Sequence, residues 1–354
     1  MSCCDTDHSG TSARSDGRSG VTGLGRRRAL ARLAGLAGSG IAAASGLARA
    51  QGAKVRLAFC GQLLCVVPYE VTRARGHFRD AGIDIELVYT RGGSAAMQAL
   101  VGGAVEYAGT SFDVALQAYA NGAKIRRFAS TGRLPLFALA TSPKTASTIR
   151  SIADLQNRTI GVSGLGNADH VMMLYLLRQA GVDPRTVRFA TLGPNLYDAL
   201  RLGQVDAGMV QEPALSLITA AGGHTLVNAM DLDDAQRYLG GPYEFMGVTV
   251  RAAERESRLD EMRRLAAALA KGLVDTQTIP IEEVVAALPR ELVAGGDRAQ
   301  LVMILARYRR SLYPDNVRID LAASTRVLEA NKIAGLIAPS TDITELMDLS
   351  VVGS

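Results

Sequence analysis

Between residues 55 and 250 the sequence switches between short β-type runs and longer helical runs, and it does so in two successive series. That alternation constrains the chain more than any other feature. Strands separated by helices read as crossover units, and hence as an α/β fold with parallel sheets. Val55-Arg56-Leu57-Ala58-Phe59-Cys60 reads as the first strand and 68–78 as the helix after it, with Gly82 closing the loop. Ile83-Asp84-Ile85-Glu86-Leu87-Val88-Tyr89 starts with a period of two, as a strand does. Arg91-Gly92-Gly93 turns the chain into a helix over 94–101, with Ser94 in the N-cap position. Further runs predict a strand at 105–110, a helix at 112–120 and strands at 125–130 and 137–141.

The second series opens with a helical turn at 151–155 and a strand at 159–162. Ser163-Gly164-Leu165-Gly166 is that strand's glycine-rich exit, and 168–179 is an apolar helix stopped at Gly181. Strand, helix, strand and helix follow at 187–192, 196–202, 207–210 and 214–221. A strand at 243–250 is placed to return the chain to the first half, and 258–278, 281–287, 298–311 and 321–333 are helical. In each half a strand passes through small polar residues into a helix. Ligands of open α/β sheets bind at the carboxyl ends of the strands, so two such edges facing each other make a cleft. The expected organisation is one lobe from 51–145 plus 245–354 and a second from 146–244.

Residues 1–50 read as a leader. Arg26-Arg27-Arg28 precede an Ala- and Gly-rich apolar stretch that carries Arg32 and ends at Ala48-Arg49-Ala50, a small-x-small cleavage site. The paired arginines followed by Leu30 resemble a twin-arginine export signal, with cleavage expected after Ala50 and a disordered tail ahead of it. A weakly apolar run broken by an arginine makes a poor bilayer span. Leu57-Ala58-Phe59-Cys60 has Phe where a lipobox needs a small residue, so lipid anchoring at Cys60 is rejected.

The formal net charge of +5 is mostly a property of that leader. Removing its seven arginines and three aspartates from the 39 basic and 34 acidic residues leaves 32 and 31 in 51–354. The body is nearly neutral and no basic stripe is visible, so nucleic acid is not an expected partner. Two cysteines remain after cleavage, Cys60 and Cys65. Export makes a disulfide chemically open to them, and two separate thiols is the favoured reading. His77, His170 and His224 are scattered without ligand spacing, so no metal site is expected. There is no nucleophile elbow and no poised Cys–His pairing, and neither an enzyme nor a cofactor is expected.

Four stretches together resemble the nitrate/sulfonate/taurine-type periplasmic solute-binding proteins, a group that includes receptors for pyrimidine precursors of thiamine. The first is Pro68-Tyr69-Glu70-Val71 through Gly76-His77-Phe78 and Gly82-Ile83-Asp84-Ile85-Glu86. The second is Gly93-Ser94 with Ala99-Leu100 and Gly103-Ala104-Val105-Glu106, where Glu106 replaces a usual Asp. The third is Ile152-Ala153-Asp154-Leu155 with Thr159-Ile160-Gly161-Val162. The fourth is Ala199-Leu200, Gly203-Gln204-Val205-Asp206-Ala207 and Glu212-Pro213. Each is weak alone, and four in register are specific for the fold. The resemblance implies a two-lobed type II periplasmic-binding-protein fold with its ligand cleft between the lobes. It also implies capture of a small organic solute, most simply an anion such as a sulfonate or carboxylate, for an ABC transporter permease in the inner membrane. The chain is expected to be a monomer in the periplasm. A pyrimidine receptor and an exported sensor serving a membrane kinase are the alternatives. A pyrimidine synthase resembling this family carries a cysteine-rich motif that is absent here.

The resemblance places the ligand between lobes. On the first lobe that edge offers Gln62, Ser94, Thr110, Ser111 and Thr131; on the second it offers Ser163, Gly164, Asn167, Asn195 and the pair Gln211-Glu212. Helix N-termini carry unpaired N–H groups and partial positive charge, so Ser94 and 163–167 suit a sulfonate or carboxylate, although Ser94 also reads as a plain N-cap. Glu212 suits an amine or a pyrimidine N–H, or an arginine partner. Arg91 and Arg133 read either as a carboxylate grip or as solvated loop residues. Tyr243 reads as a stacking group or as hinge packing. Asp206 reads as structural.

Overall fold

The apolar runs of each series pair side by side. The computed structural model describes residues 54–290 and 297–352. The leader expected over 1–50, its export signal and its cleavage site lie outside the described residues. Strands β1 (Val55–Cys60), β2 (Ile85–Thr90), β3 (Tyr107–Ser111) and β4 (Ile125–Ser130) belong to one sheet. Strands β5 (Ala138–Thr141), β6 (Thr159–Val162), β7 (Arg188–Thr191), β8 (Ala207–Val210) and β9 (Thr225–Asn228) form a second. Strand β10 (Met246–Arg251) returns to the first.

The two sheets share one plan. The orders are β2-β1-β3-β10-β4 and β7-β6-β8-β5-β9. In each, three parallel strands are followed by one antiparallel strand that has arrived from the other half. The central β3 is buried at every position, as a strand covered on both faces must be, while the edge strand β2 stays partly exposed. Helices α1 (Leu63–Ala74), α2 (His77–Asp80), α3 (Gly93–Val101), α4 (Phe112–Ala120), α5 (Ala168–Gln179), α6 (Leu196–Arg201), α7 (Ala214–Ala220) and α8 (Leu232–Leu239) fill the crossovers. Among the described residues, four helices follow β10: α9 (Leu259–Thr278), α10 (Ile281–Ala287), α11 (Arg298–Leu312) and α12 (Leu321–Ala334). Helix α12 packs against both α4 and α5, and so straps the helical layers of the two sheets together.

Four features differ from the sequence reading. Helix α1 begins at Leu63 and carries Pro68 inside it. A proline has no N–H for the carbonyl four residues back; that carbonyl, on Leu64, accepts instead from the Tyr313 hydroxyl at 2.8 Å. Strand β5 lies in the second sheet although 137–141 reads as a strand of the first, so the chain crosses over before residue 138 rather than at 145. Helix α3 is capped by Gly92, which puts Ser94 one residue inside the helix. Strand β9 and helix α8 occupy 222–242, where sequence periodicity marks nothing.

The two crossing segments, 131–137 and 240–245, are hydrogen-bonded to each other. Thr131 N and Gly132 N donate to Met246 O, Phe245 N donates to Gly132 O, and Tyr243 N donates to Arg133 O. Phe137 and Phe245 meet edge to face at 5.4 Å. Beneath them lies Arg127 of β4, fully buried, whose guanidinium reaches Glu244 at 2.9 Å, Phe245 O at 3.0 Å and Thr110 O at 3.1 Å. Gly247 makes room for it: a Cβ there would stand 2.3 Å from the guanidinium. Beside this pair Tyr243 donates to Asp113 Oδ1 at 2.8 Å, and Asn331 Nδ2 of α12 donates to the same oxygen at 2.9 Å.

Candidate ligand-binding cleft

Three strands end at one place. Strand β1 stops at Cys60, and Gln62 then caps α1; β6 runs into Ser163 ahead of α5; β8 runs into Gln211. Their carboxyl ends face each other across the crossing segments, where open α/β sheets hold ligands. Two adjoining chambers occupy this place. A small polar one of about 40 Å³ is lined by Cys60, Gln62, Cys65, Arg91, Ser111, Ser163, Asn167, Asp169 and Gln211, with Phe137, Phe245 and Met246. A larger one of about 330 Å³ is lined mainly by apolar groups, among them Leu63, Pro194, Leu196, Tyr197, Met209, Pro213 and Leu217. Gln62, Phe137, Ser163, Asp169 and Gln211 line both.

The lobes touch through side chains. Ser94 donates to Asn167 Oδ1 at 2.7 Å, Gln211 Nε2 donates to Gln62 Oε1 at 2.5 Å, and Gln117 Nε2 donates to Gly166 O at 3.3 Å. Gly92 allows the first of these, since a Cβ on it would lie 3.3 Å from Asn167 Nδ2. Asn167 Nδ2 in turn donates to Ser163 Oγ at 3.0 Å, and Ser163 donates to Asp169 through its hydroxyl at 2.8 Å and its N–H at 2.5 Å. This chain of donors changes one expectation. The segment 163–167 is already committed to a carboxylate of the protein's own, Asp169 in the first turn of α5, so it is not an open cradle for an oxyanion.

Burial raises the Asp169 carboxyl above its ordinary range, and the donors from Ser163 only partly offset this. No basic group forms an ion pair with it among the described residues. The thiols of Cys60 and Cys65 are both free and buried, and share a hydrogen bond. That bond pulls the Cys60 thiol down and, with burial, pushes the Cys65 thiol up. Cys60 also donates to Gln62 Oε1 at 3.2 Å. Gln62 Oε1 therefore accepts twice, while the buried Gln211 Oε1 accepts from nothing.

The structure sorts the residues picked from sequence. Gln62, Ser111, Ser163 and Asn167 line the polar chamber, and Glu212 lines the apolar one, where its carboxylate is held by Ser216 N and Oγ at 3.0 Å. Ser94 bridges the lobes rather than lining either chamber. Thr110 and Thr131 are buried behind the cleft; Thr131 bonds the Tyr69 hydroxyl at 3.0 Å, and burial pushes that phenol up to about 12. Gly164 is outside the lining, and its carbonyl accepts from Asn167 N. Asn195 is exposed on the turn before α6 and faces neither chamber. Tyr243 is buried at the hinge on Asp113 and lines neither chamber. Arg133 bonds main-chain oxygens of α11, whereas Arg91 is an exposed member of the polar lining. Asp206 accepts from Thr159 N at 2.8 Å, which is a structural role. Sequence reasoning missed Asp169, the apolar wall and the cysteines as lining groups. An acid in a helix's first turn is the only sequence trace of Asp169, and it reads as ordinary dipole matching.

Among the described residues no helix is long and apolar enough to cross a membrane, and no three metal-binding side chains are grouped. The fold has many solved counterparts. A structure from Bordetella bronchiseptica RB50 is 24% identical with a TM-score of 0.76, over 85% of this chain and 96% of that one. The alkanesulfonate-binding protein SsuA from Xanthomonas axonopodis pv. citri, bound to MOPS, is 20% identical with a TM-score of 0.66, over 84% and 99%. The periplasmic nitrate-binding protein NrtA from Synechocystis PCC 6803 is 14% identical with a TM-score of 0.63, over 84% and 86%. No curated protein matches by sequence. The family model described as NMT1/THI5 like matches residues 66–283, well over half of the sequence, and its span takes in the second sheet and every strand of the first except β1. The chain belongs to the NMT1/THI5-like family.

Proposed function

We propose that this protein is the solute-capturing component of an ABC importer, exported to the periplasm, which closes its lobes on a small organic solute and hands it to a membrane permease. The observation that carries the reading is the cleft itself. Two sheets of one plan are joined by two paired crossings, and side chains of both lobes meet over a lined void. Hinge closure around a ligand follows from that geometry. Similarity to sulfonate- and nitrate-binding proteins places small anions first among candidates. Ser111, Ser163, Asn167, Gln62 and Gln211 are the groups proposed to contact the solute.

A thermal-shift screen of the full chain against sulfonates, carboxylates, pyrimidines and nitrate tests this, with native mass spectrometry of the bound species. A ligand bound only by the folded state adds about 2.7 kcal/mol at a hundredfold excess over its Kd. The expected result is a clear shift with one chemical class and recovery of that compound unchanged. Chemical conversion of the bound compound would replace this reading with an enzymatic one.

A further inference from the structure

The proposed function leaves the ligand's shape and polarity open, and the size of the larger chamber and an open buried acceptor at the junction bear on both. We infer that the cleft is built for an amphipathic solute: an aromatic or similarly compact apolar body in the larger chamber, with an N–H or O–H donor at the end that enters the polar one. This rests on the receptor reading and sharpens it. The larger chamber, about 330 Å³, is walled by Leu63, Leu196, Tyr197, Met209 and Leu217 and suits a ring rather than a hydrated ion. The polar chamber holds about 40 Å³, room for roughly three water-sized groups.

The junction of the chambers presents an open acceptor. Gln211 Oε1 is buried without a partner and lines both chambers. Asp169 lines both as well, a buried carboxylate with no paired cation among the described residues. A buried acceptor left unmet, as Gln211 Oε1 is, costs free energy that a ligand donor recovers. An oxyanion pushed to that junction would set acceptors against acceptors. Among the described residues Arg91 is the one basic side chain in the lining of either chamber, and it is exposed. A negative charge on the same solute belongs at the end away from Asp169.

Three sulfonates separate these features: ethanesulfonate has no apolar body, benzenesulfonate has the body without a donor, and 4-aminobenzenesulfonate has both. Calorimetry on the full chain is expected to show affinity rising on the order of tenfold at each step, the last step being about one hydrogen bond. Gln211→Leu is expected to remove the amino-group gain, so that the variant binds 4-aminobenzenesulfonate no more tightly than it binds benzenesulfonate. Leu217→Gln, at a partly exposed wall position, is expected to weaken both aromatic compounds while keeping the amino gain. The inference falls if ethanesulfonate or nitrate binds as tightly as the aromatic compounds, or if the amino group adds nothing; the receptor reading would survive either result. Failure of every compound in the broad screen would remove the receptor reading and this inference with it.

Discussion

The hinge and the cleft both bury charge, and they treat it in opposite ways. At the hinge Arg127 and Glu244 meet at 2.9 Å with both side chains shut away from water, and main-chain oxygens take up further guanidinium donors. In the cleft Asp169 is as deeply buried and accepts from Ser163 and from main-chain N–H groups of its own turn, with no cation against it among the described residues, and Gln211 keeps an acceptor open beside it. A buried charge matched within the protein holds a segment in place. One left unmatched beside a void raises the folded state's free energy until something arrives. On the proposed function, the difference sets an ion pair that holds the hinge against a carboxylate and an open acceptor that a ligand completes.

Removing one hinge charge should break the contrast most sharply. Arg127→Met leaves Glu244 buried without its cation, and loss of one member of such a pair costs about 3–5 kcal/mol. Urea unfolding should show that loss, and adding Glu244→Leu should recover most of it, because the orphaned charge is then gone. Asp169→Asn orphans no cation and is expected to change stability by about 1 kcal/mol or less. A loss at Asp169 as large as that at Arg127 would erase the distinction.

A pH titration probes the hinge more gently. Burial raises the Asp113 carboxyl to about 6, against the pull of the donors from Tyr243 and Asn331 and the nearby Arg127 charge. The folded state then binds this proton more tightly than the unfolded chain, whose value is the ordinary 3.8. Stability from this group is present below the unfolded value and is lost as pH rises to about 6, a swing of about 3 kcal/mol. Asp113→Asn can keep both donors and should flatten that part of the profile. The difference between the two profiles, by thermal unfolding from pH 4 to 7.5, isolates it; parallel curves would mean that Asp113 is ionised throughout.

Strands and helices with strong local periodicity were legible in the sequence: 125–130, 159–162, 168–179 and 281–287 coincide with β4, β6, α5 and α10. Sheet membership was not. Nothing in Ala138–Thr141 distinguishes a strand that stays in the first sheet from one that crosses, since the choice is made by partners some 70 residues away at β8. Pro68 misled for a related reason: the hydroxyl that replaces its missing hydrogen bond comes from Tyr313, far along the chain. Site residues followed the same division. Gln62 and Ser163 sit just past strand ends, where small polar residues are a local signal. Asp169 and the apolar wall become site residues only when two lobes meet.

That meeting is also where the smallest effect can be measured. The Ser94–Asn167 bond joins lobes and supports neither sheet, so Ser94→Ala should change lobe closure more than fold stability. A net hydrogen bond of about 1 kcal/mol corresponds to roughly a fivefold shift in the balance of open and closed forms. Small-angle scattering of the ligand-free protein should register a larger radius of gyration for Ser94→Ala, with a denaturation midpoint close to that of the parent. Thr131→Val supplies the opposite case. It breaks a buried bond to Tyr69 within one lobe, so it should lower the midpoint and leave the radius unchanged. If Ser94→Ala behaved like Thr131→Val, the bond across the cleft would be acting as internal packing, and the two lobes would be moving as one body.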